Sequence, residues 1–172
     1  MRAGHLDWQF RRARSPASLS SAVMPEARTS GYDDSYSTCV KTHSTLRIFS
    51  DALGPEEVTG LLQVQPTGSF RKGDDHGRGK LQRKTNGWLY CTEELSNSKD
   101  TRRHLDLILA VLDGKVEVVK ALQARGCQMD VTSFWMSTGQ GGPWLMPEQM
   151  RKLGALDISI WWAVYFADED EA

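Results

Sequence analysis

The sequence predicts a single α+β domain in which three or four helices pack on a four-stranded mixed or antiparallel sheet. Two observations predict this class. Between residues 38 and 166, segments in which apolar residues recur at every second position, as in strands, alternate with segments in which apolar residues have helical spacing. The helical segments are short and the glycine-rich loops are long, which is not typical of a regular doubly wound parallel sheet. A chain of 172 residues is long enough for one such domain and too short for two of ordinary size.

The composition excludes several classes of protein. The 21 basic and 22 acidic side chains give a net charge of −1, so no overall field attracts nucleic acid or an anionic membrane. Nucleic acid is therefore not the expected partner. The chain lacks a run of about 18 apolar residues, so we expect no membrane span. The three cysteines are widely spaced and odd in number, which favours a reducing, cytoplasmic location over a disulfide framework.

The two ends of the chain differ in composition from the domain. Residues 1–37 are rich in Arg, Ser and Ala and lack the apolar segment of about seven residues that an export signal needs. A mitochondrial transit peptide has a similar composition, but Asp7 and the lack of an amphipathic repeat disfavour it. We expect a disordered tail, or an upstream extension of the reading frame with the true start at Met24. Residues 167–172 form a predicted acidic tail.

The first strand and the first helix follow from the spacing of apolar residues. Even-numbered residues 40–48 form one face of a predicted strand over residues 37–49, and the more polar odd-numbered residues form a wet face. The Gly-Pro-Glu-Glu segment at 54–57 then begins a short helix, because proline suits the first helical position and glutamates suit the positive end of the helix dipole. Val58, Leu61 and Leu62 are its expected buried stripe, and Pro66 is its expected end.

A basic, glycine-rich segment follows this helix. Residues 71–84 hold six basic side chains against two aspartates, and residues 68–87 are predicted to be irregular. The glycine spacing fits neither a P-loop nor the dinucleotide-binding fingerprint. A plain surface loop and a loop that contacts an acidic partner both remain open. The candidate contact residues are Arg71, Lys72, Arg78 and Lys80. Asn86-Gly87 is a predicted turn before the second strand at 88–92.

The second half of the chain alternates helices and strands. Asp100 or Ser98 can cap a helix whose apolar residues recur at helical spacing from 105 to 112, with Arg102, Arg103 and Asp106 expected to face outward. Asp113-Gly114 breaks it, and another helix continues to Gly126. A third strand covers residues 127–137, and Pro147 begins the last helix. Residues 158–166 form the clearest strand, and because both of its faces are largely apolar we expect it in the centre of the sheet.

Several short motifs occur in a definite order along the domain. They are the first strand leading into LGPEEVT at 53–59, LQVQPT at 62–67, KG at 72–73, NGW at 86–88, HL at 104–105, LGAL at 153–156 and VYF at 164–166. In this order and spacing they resemble the domain-of-unknown-function family 4279, found mainly in bacterial proteins, over about residues 38–166. The resemblance implies an intracellular bacterial α+β domain and supplies no reaction, cofactor or partner. Ala163 stands where the family pattern often has an acidic residue, so the resemblance carries no role for that acid over to this chain.

Local motifs for catalysis and metal binding are missing from the sequence. It contains no Gly-x-Ser-x-Gly, no His-Glu-x-x-His and no Cys-x-x-Cys, and no histidine lies within metal-ligand spacing of a cysteine or another histidine. His104, near a helix start, is expected to have a neighbour such as Asp100 or Glu93 as its partner. Ligands could still converge in the folded chain, but the sequence predicts no cofactor and no metal site.

Aromatic side chains are the main candidates for a binding surface. Five of the six tryptophans lie in the domain, which is more than a small core is expected to enclose. The candidates are Trp88, Trp135, Trp144, Trp161 and Tyr165. A core with two covered faces, which encloses these rings, is the alternative. Trp88 and Tyr90 lie near the basic segment and could stack on single-stranded nucleic acid, but no recognition motif accompanies them.

Two functional hypotheses follow. The first is a non-enzymatic, cytoplasmic protein-binding module, of accessory or immunity type, whose partner is another protein and whose oligomeric state is open. The second is a small enzyme or small-molecule binder with a pocket between the sheet and the loop at 139–144.

Overall fold

The computed structural model describes residues 31–75 and 81–167, which form an α+β domain around a five-stranded mixed sheet. The strand order is β2-β3-β1-β4-β5, and all neighbours are antiparallel except the parallel pair β4 and β5. The strands are β1 (Cys39–Ser50), β2 (Gly68–Phe70), β3 (Asn86–Cys91), β4 (Gln128–Ser137) and β5 (Ser159–Phe166). The α+β class and the mixed sheet are confirmed.

The sheet has one strand more than the sequence predicted. The additional strand, β2, lies in the segment that was expected to be irregular, and it pairs with β3. Three residues are too few to show a two-residue alternation, so this strand has no periodic signal of its own. Asn86 and Gly87, the predicted turn, are the first two residues of β3.

Four helices accompany the sheet in the part of the chain that the structure describes. They are α1 (Pro55–Leu62), α2 (Thr101–Val111), α3 (Val116–Ala124) and α4 (Pro147–Ala155). The predicted helix starts are confirmed by their contacts. The Glu57 carboxylate accepts a hydrogen bond from the backbone N–H of Gly54 at 2.9 Å, and the Asp100 carboxylate accepts one from the N–H of Arg102 at 3.0 Å.

Three details of the helices differ from the prediction. The first helix ends at Leu62 rather than at Pro66, because Gln63 adopts the left-handed conformation with a φ of 55°. Leu61, expected inside, is exposed. Arg102, expected to face outward, is buried at 3% exposure because its guanidinium pairs with the buried carboxylate of Asp100.

The two faces of the sheet differ in what covers them. Even-numbered residues of β1 and odd-numbered residues of β4 face the helices, and Leu46, Ile48 and Val131 join Leu105 and Ile108 of α2 in one buried cluster. This is the helix face. The opposite side, the open face, carries half-buried side chains from the same strands. The alternation predicted for β1 is confirmed.

The last strand lies in a different place from the predicted one. The sequence predicts β5 in the centre of the sheet, but among the described residues it is an edge strand that pairs with β4 alone. Apolar residues on both faces are typical of a strand covered on both sides. In β5 they are instead largely exposed. The pattern in the sequence was therefore identified correctly, and the inference from it to a central position was wrong.

The segment before β1 contacts α2. The Tyr32 hydroxyl donates to a carboxylate oxygen of Asp106 at 2.7 Å, and the guanidinium of Arg103 donates to the carboxylate of Asp34. The described domain therefore includes residues 32–37, which the sequence assigned to the tail. The rest of that predicted tail, up to residue 30, and residues 168–172 lie outside the described residues. Within the described ranges, none of the helices has the length and apolar character needed to cross a bilayer.

Candidate functional site

Two of the five aromatic candidates are buried. Trp88 and Trp135 are each 1% exposed, because both lie on the helix face of the sheet. The indole N–H of Trp88 donates to the Thr59 hydroxyl at 3.0 Å, and the ring of Trp135 packs edge-on against Tyr36 with centroids 5.2 Å apart. These two rings therefore lie in the interior, where they have a structural role and do not form part of an exposed binding surface.

Trp144 is exposed but has an intramolecular contact. Its ring lies over the guanidinium of Arg102, with the guanidinium carbon 4.0 Å from the ring centroid. Arg102 in turn pairs with Asp100 at the start of α2. Trp144 therefore contacts the Arg102 guanidinium with one face of its indole ring and is still exposed to solvent.

Trp161 and Tyr165 lie together on the open face of β5, and both are exposed. On the other side of the strand, Trp162, Val164 and Phe166 are exposed as well, because the helices do not cover them. The exposed fractions reach 61% for Trp161 and 78% for Phe166. These five side chains form what we call the β5 surface. The candidates chosen from the sequence included Trp161 and Tyr165 and missed the other three. The signal that could have identified Trp162, Val164 and Phe166 is the alternation itself, which shows that both faces of this strand are apolar.

The basic candidates that the structure describes are paired. Arg71 forms an ion pair with Glu56 at 2.7 Å, and Lys72 forms one with Asp51 at 3.0 Å, all on the surface. Nearby acidic side chains therefore offset part of the positive charge that the sequence places in this segment. Arg78 and Lys80 lie outside the described residues.

The open face carries a row of stacked rings. The His43 ring stacks on Phe134 with centroids 4.9 Å apart, and Phe134 stacks on Tyr165 at 5.3 Å. The row crosses from β1 through β4 to β5, since His43 pairs with Phe134 and Tyr165 lies diagonally from it. The β5 surface is therefore continuous with the centre of the open face.

A cluster of three possible metal ligands lies at the other end of this row. A ring nitrogen of His43, the thiol of Cys91 and a carboxylate oxygen of Glu93 lie within 4.8 Å of one another. Cys91 pairs with Thr45 in the register of β1 and β3, which places Glu93 opposite His43 two residues later. The sequence could not reveal this cluster, because His43 lies about 50 residues from Cys91 and Glu93 and meets them only through the strand register.

Burial and charge shift the pKa values of His43 and Glu93 in this cluster. Desolvation by burial lowers the pKa of His43, which favours the neutral ring. The ion pair with the Lys41 ammonium lowers the pKa of the Glu93 carboxyl, so it is ionised at neutral pH. Nδ1 of His43 is buried and has no hydrogen-bond partner among the described residues. A neutral imidazole beside a carboxylate can accept a proton or a cation.

A second histidine lies in a closed polar layer between the sheet and α2. Nε2 of His104 donates to the carbonyl of Ser98 at 2.9 Å, and Nδ1 lies 2.8 Å from the Thr92 hydroxyl. Neither predicted neighbour, Asp100 nor Glu93, is its hydrogen-bond partner. Burial lowers the pKa of His104, so the ring is neutral at pH 7. The ring is fully buried and both nitrogens have partners, so this histidine has a structural role.

One open cleft of about 410 Å³ lies between α2 and α4. Its lining is mixed, with Asp106, Glu148 and Lys152 beside Leu109 and Met146. This cleft is not the pocket that the sequence predicted between the sheet and the loop at 139–144, and that small-molecule hypothesis stays a prediction.

Comparison with known proteins identifies a family. No curated protein and no solved structure gave a match to this chain. A family model does match, and it covers residues 40–167, which includes all five strands and all four helices apart from the first residue of β1. The matched range agrees with the domain that the motifs indicated at residues 38–166. The chain therefore belongs to the family described as Domain of unknown function (DUF4279).

Proposed function

We propose that this domain is a protein-binding module, of accessory or immunity type in a bacterial cytoplasm, that binds an extended segment of another protein along the outer edge of β5. The observation that carries the proposal is an apolar, exposed strand at the edge of the sheet. Proteins normally cover or charge such edges, because unpaired backbone groups and apolar side chains together attract other strands. β5 has neither protection along its described length.

The backbone of β5 offers hydrogen bonds on its outer side. The N–H of Ala167 donates to the carbonyl of Ser137 at 2.9 Å, which directs this peptide group toward β4. Successive peptide groups of a strand point to opposite sides, so the N–H groups of Ala163 and Tyr165 also point toward β4. Those of Trp162, Val164 and Phe166 point away. Within residues 31–75 and 81–167, no strand pairs with this outer side.

The side chains of β5 define the chemistry of the added strand. Trp161 and Tyr165 extend from one face of the strand, and Trp162, Val164 and Phe166 extend from the other. A strand paired with β5 would have its own side chains beside both groups. We therefore expect a segment with large apolar residues on both faces, bound by backbone pairing and by contact with the indole rings.

The acidic residues that follow β5 predict the charge of the residues beside the partner's apolar segment. Residues 168–171, which follow Phe166 at the end of the strand after one alanine, read Asp-Glu-Asp-Glu. A partner with basic residues beyond its apolar strand would complement this charge, and an acidic partner would be repelled. A second copy of this chain, which has the same acidic run, lacks that complementarity, so another protein is the proposed partner.

The cytoplasmic location rests on the thiols. All three cysteines are free, and Cys39 and Cys127 are buried without a disulfide partner. Free thiols persist in a reducing compartment, whereas secreted domains of this size commonly use disulfides.

Proline at position 164 tests the backbone part of the proposal. Val164→Pro removes an N–H that points away from β4, so the fold should tolerate it as edge strands tolerate proline. Val164→Ala is the matched control, because it trims the side chain and keeps the N–H. Tyr165→Pro removes an N–H that points toward β4 and should lower the melting temperature. Circular dichroism during heating separates these three variants.

Binding is measured with selected peptides on the full chain. Random linear peptides are selected on the wild-type protein and then assayed against Val164→Pro and Val164→Ala. Peptides with apolar residues and a basic flank, bound by Val164→Ala and not by Val164→Pro, support the proposal. Peptides that bind all variants equally contradict it. If the wild-type chain is itself a dimer that Val164→Pro dissociates, the occupant is a second copy, and the proposal of a different partner fails.

A further inference from the structure

We propose that His43, Cys91 and Glu93 bind one divalent transition-metal ion of the zinc class on the open face of the sheet. The inference goes beyond the proposed function, because it concerns β1 and the end of β3 rather than β5. It begins from the approach of three different ligand atoms to within 4.8 Å of one another.

The donor set selects the class of metal. One imidazole nitrogen, one thiolate and one carboxylate oxygen are ligands that Zn²⁺ accepts together, whereas Mg²⁺ and Ca²⁺ prefer oxygen alone. Three protein ligands leave one position of a tetrahedral ion open. His43, Cys91 and Glu93 are all partly exposed, so this fourth position faces solvent, where a water molecule or an incoming group can occupy it.

The strand register preorganises the three ligands. Thr45 pairs with Cys91, and the N–H of Thr92 donates to the carbonyl of Ser44 at 2.9 Å, which carries the pairing one residue beyond β3. The side chains of His43, Cys91 and Glu93 therefore extend from the same face. A tetrahedral zinc ion with bonds of about 2.0–2.3 Å holds its ligand atoms roughly 3.3–3.6 Å apart. Side-chain rotations that move the ligand atoms by about an ångström therefore bring the three atoms to the distances that zinc requires.

The surroundings of His43 support its role as a ligand. Phe134 stacks on the ring and fixes its plane, and Nδ1 is buried with no hydrogen-bond partner among the described residues. Buried polar atoms almost always have a partner, so the unpartnered Nδ1 of a ring that belongs to the cluster is a second, independent sign of a ligand.

Lys41 is the charged group that a metal ion would have to replace. Its ammonium pairs with the Glu93 carboxylate, and both side chains are partly exposed. The ion pair is a surface contact of small energy, so a divalent ion can take over the carboxylate while Lys41 turns to solvent. Binding would also release the proton of the Cys91 thiol to solvent.

Cobalt provides the direct test, with the full chain stripped of metal. Added Co²⁺ should bind once per chain and give the near-ultraviolet thiolate-to-cobalt charge-transfer band. Cys91→Ser should abolish the band, and Cys127→Ser, which changes a buried thiol outside the cluster, should keep it. His43→Gln and Glu93→Gln should weaken Zn²⁺ binding by more than the roughly 10–100-fold cost of losing an outer-shell partner. Glu94→Gln, which changes an exposed carboxylate that is not a member of the cluster, is the matched control.

Two outcomes would overturn the site. One is a wild-type protein that binds Co²⁺ without a thiolate band, and the other is Zn²⁺ affinity that the three ligand variants leave unchanged. Alkylation of the wild-type protein gives a test that needs no variant. Cys91 is the one partly exposed thiol, and Zn²⁺ should slow its modification; an unchanged rate contradicts the proposal. Val164→Pro should bind Zn²⁺ normally, so failure of the metal site and failure of the β5 proposal are distinguishable.

Discussion

Phe70 of β2 packs its ring directly on the backbone of Gly87 in β3. A Cβ atom at position 87 would lie 2.2 Å from the nearest ring atom, a distance that no real contact allows. The glycine is therefore required by the neighbouring strand rather than by a turn. Arg83 completes this packing, with its guanidinium carbon 4.1 Å from the centroid of the same ring.

Gly87→Ala should destabilise the domain. Its methyl group must displace the Phe70 ring or shift β2, and overpacking of this kind costs about 1–3 kcal/mol. Urea unfolding followed by circular dichroism measures the change. Gly60→Ala is the matched control, since nothing lies within 4 Å of its Cβ position in α1, and the variant should be more stable by about 0.5–1 kcal/mol. Equal stabilities of the two variants would contradict the packing argument.

Truncation of Trp88 should lower the stability of the domain strongly, and truncation of Trp161 should hardly change it. Trp88→Ala removes a buried ring from the core and should lower the unfolding free energy by about 3–5 kcal/mol. Trp161→Ala removes an exposed ring and should change it by about 0.5 kcal/mol or less. Chemical denaturation of both variants tests this assignment. A large loss of stability in Trp161→Ala would mean that β5 is covered in the folded chain.

The buried ion pair of Asp100 and Arg102 should be sensitive to loss of one partner. Asp100 accepts from Asp33 and from the side chain and backbone of Arg102, so Asp100→Ala removes the cap of α2 and leaves a buried guanidinium without its carboxylate. A loss of about 3–5 kcal/mol is expected in thermal or urea unfolding. Glu117→Gln, in an exposed pair with Lys120, should cost about 0–1 kcal/mol. Similar losses at the two sites would be the contrary result.

His104 should make stability depend on pH below its ordinary pKa. Burial lowers the pKa of His104 in the folded state from 6.5, so below about pH 6.5 the unfolded chain takes up a proton that the folded chain does not. The unfolding free energy should therefore fall as the pH decreases from 6.5. His104→Gln lacks this component, and the two proteins are compared by urea unfolding between about pH 7.5 and about pH 5, the range in which histidine titrates. Parallel pH profiles would contradict the assignment of His104 as a buried neutral ring.

Local patterns in the sequence were sufficient for most elements of the fold. The alternation of β1, the Pro55 helix start and the Asp100 cap depend on residues next to one another, so the sequence alone predicts them. β2 could not be predicted, because three residues carry no period. The position of β5 could not be predicted either, since an apolar strand in the centre of a sheet and an apolar strand at an exposed edge have the same pattern.

The candidate sites depend on pairing between distant segments. Trp88 and Trp161 both lie in predicted strands, but Trp88 is buried and Trp161 is exposed. This difference depends on the face of the sheet on which each ring lies and on the elements that pack against that face. His43 and Cys91 likewise meet through a register that no local pattern specifies. Sequence reasoning therefore found two of the aromatic residues of the β5 surface and none of the three residues of the metal-ligand cluster, because the fold determines which side chains lie together.

Hydrogen exchange of the backbone amides of β5, resolved by residue in the free full-length chain, tests most directly whether the outer edge of this strand is available for binding. The amides of Ala163 and Tyr165, directed toward β4, should be protected, and those of Trp162, Val164 and Phe166 should exchange rapidly. Protection of Val164 equal to that of Tyr165 would show that the edge is already covered and would contradict the proposed docking surface.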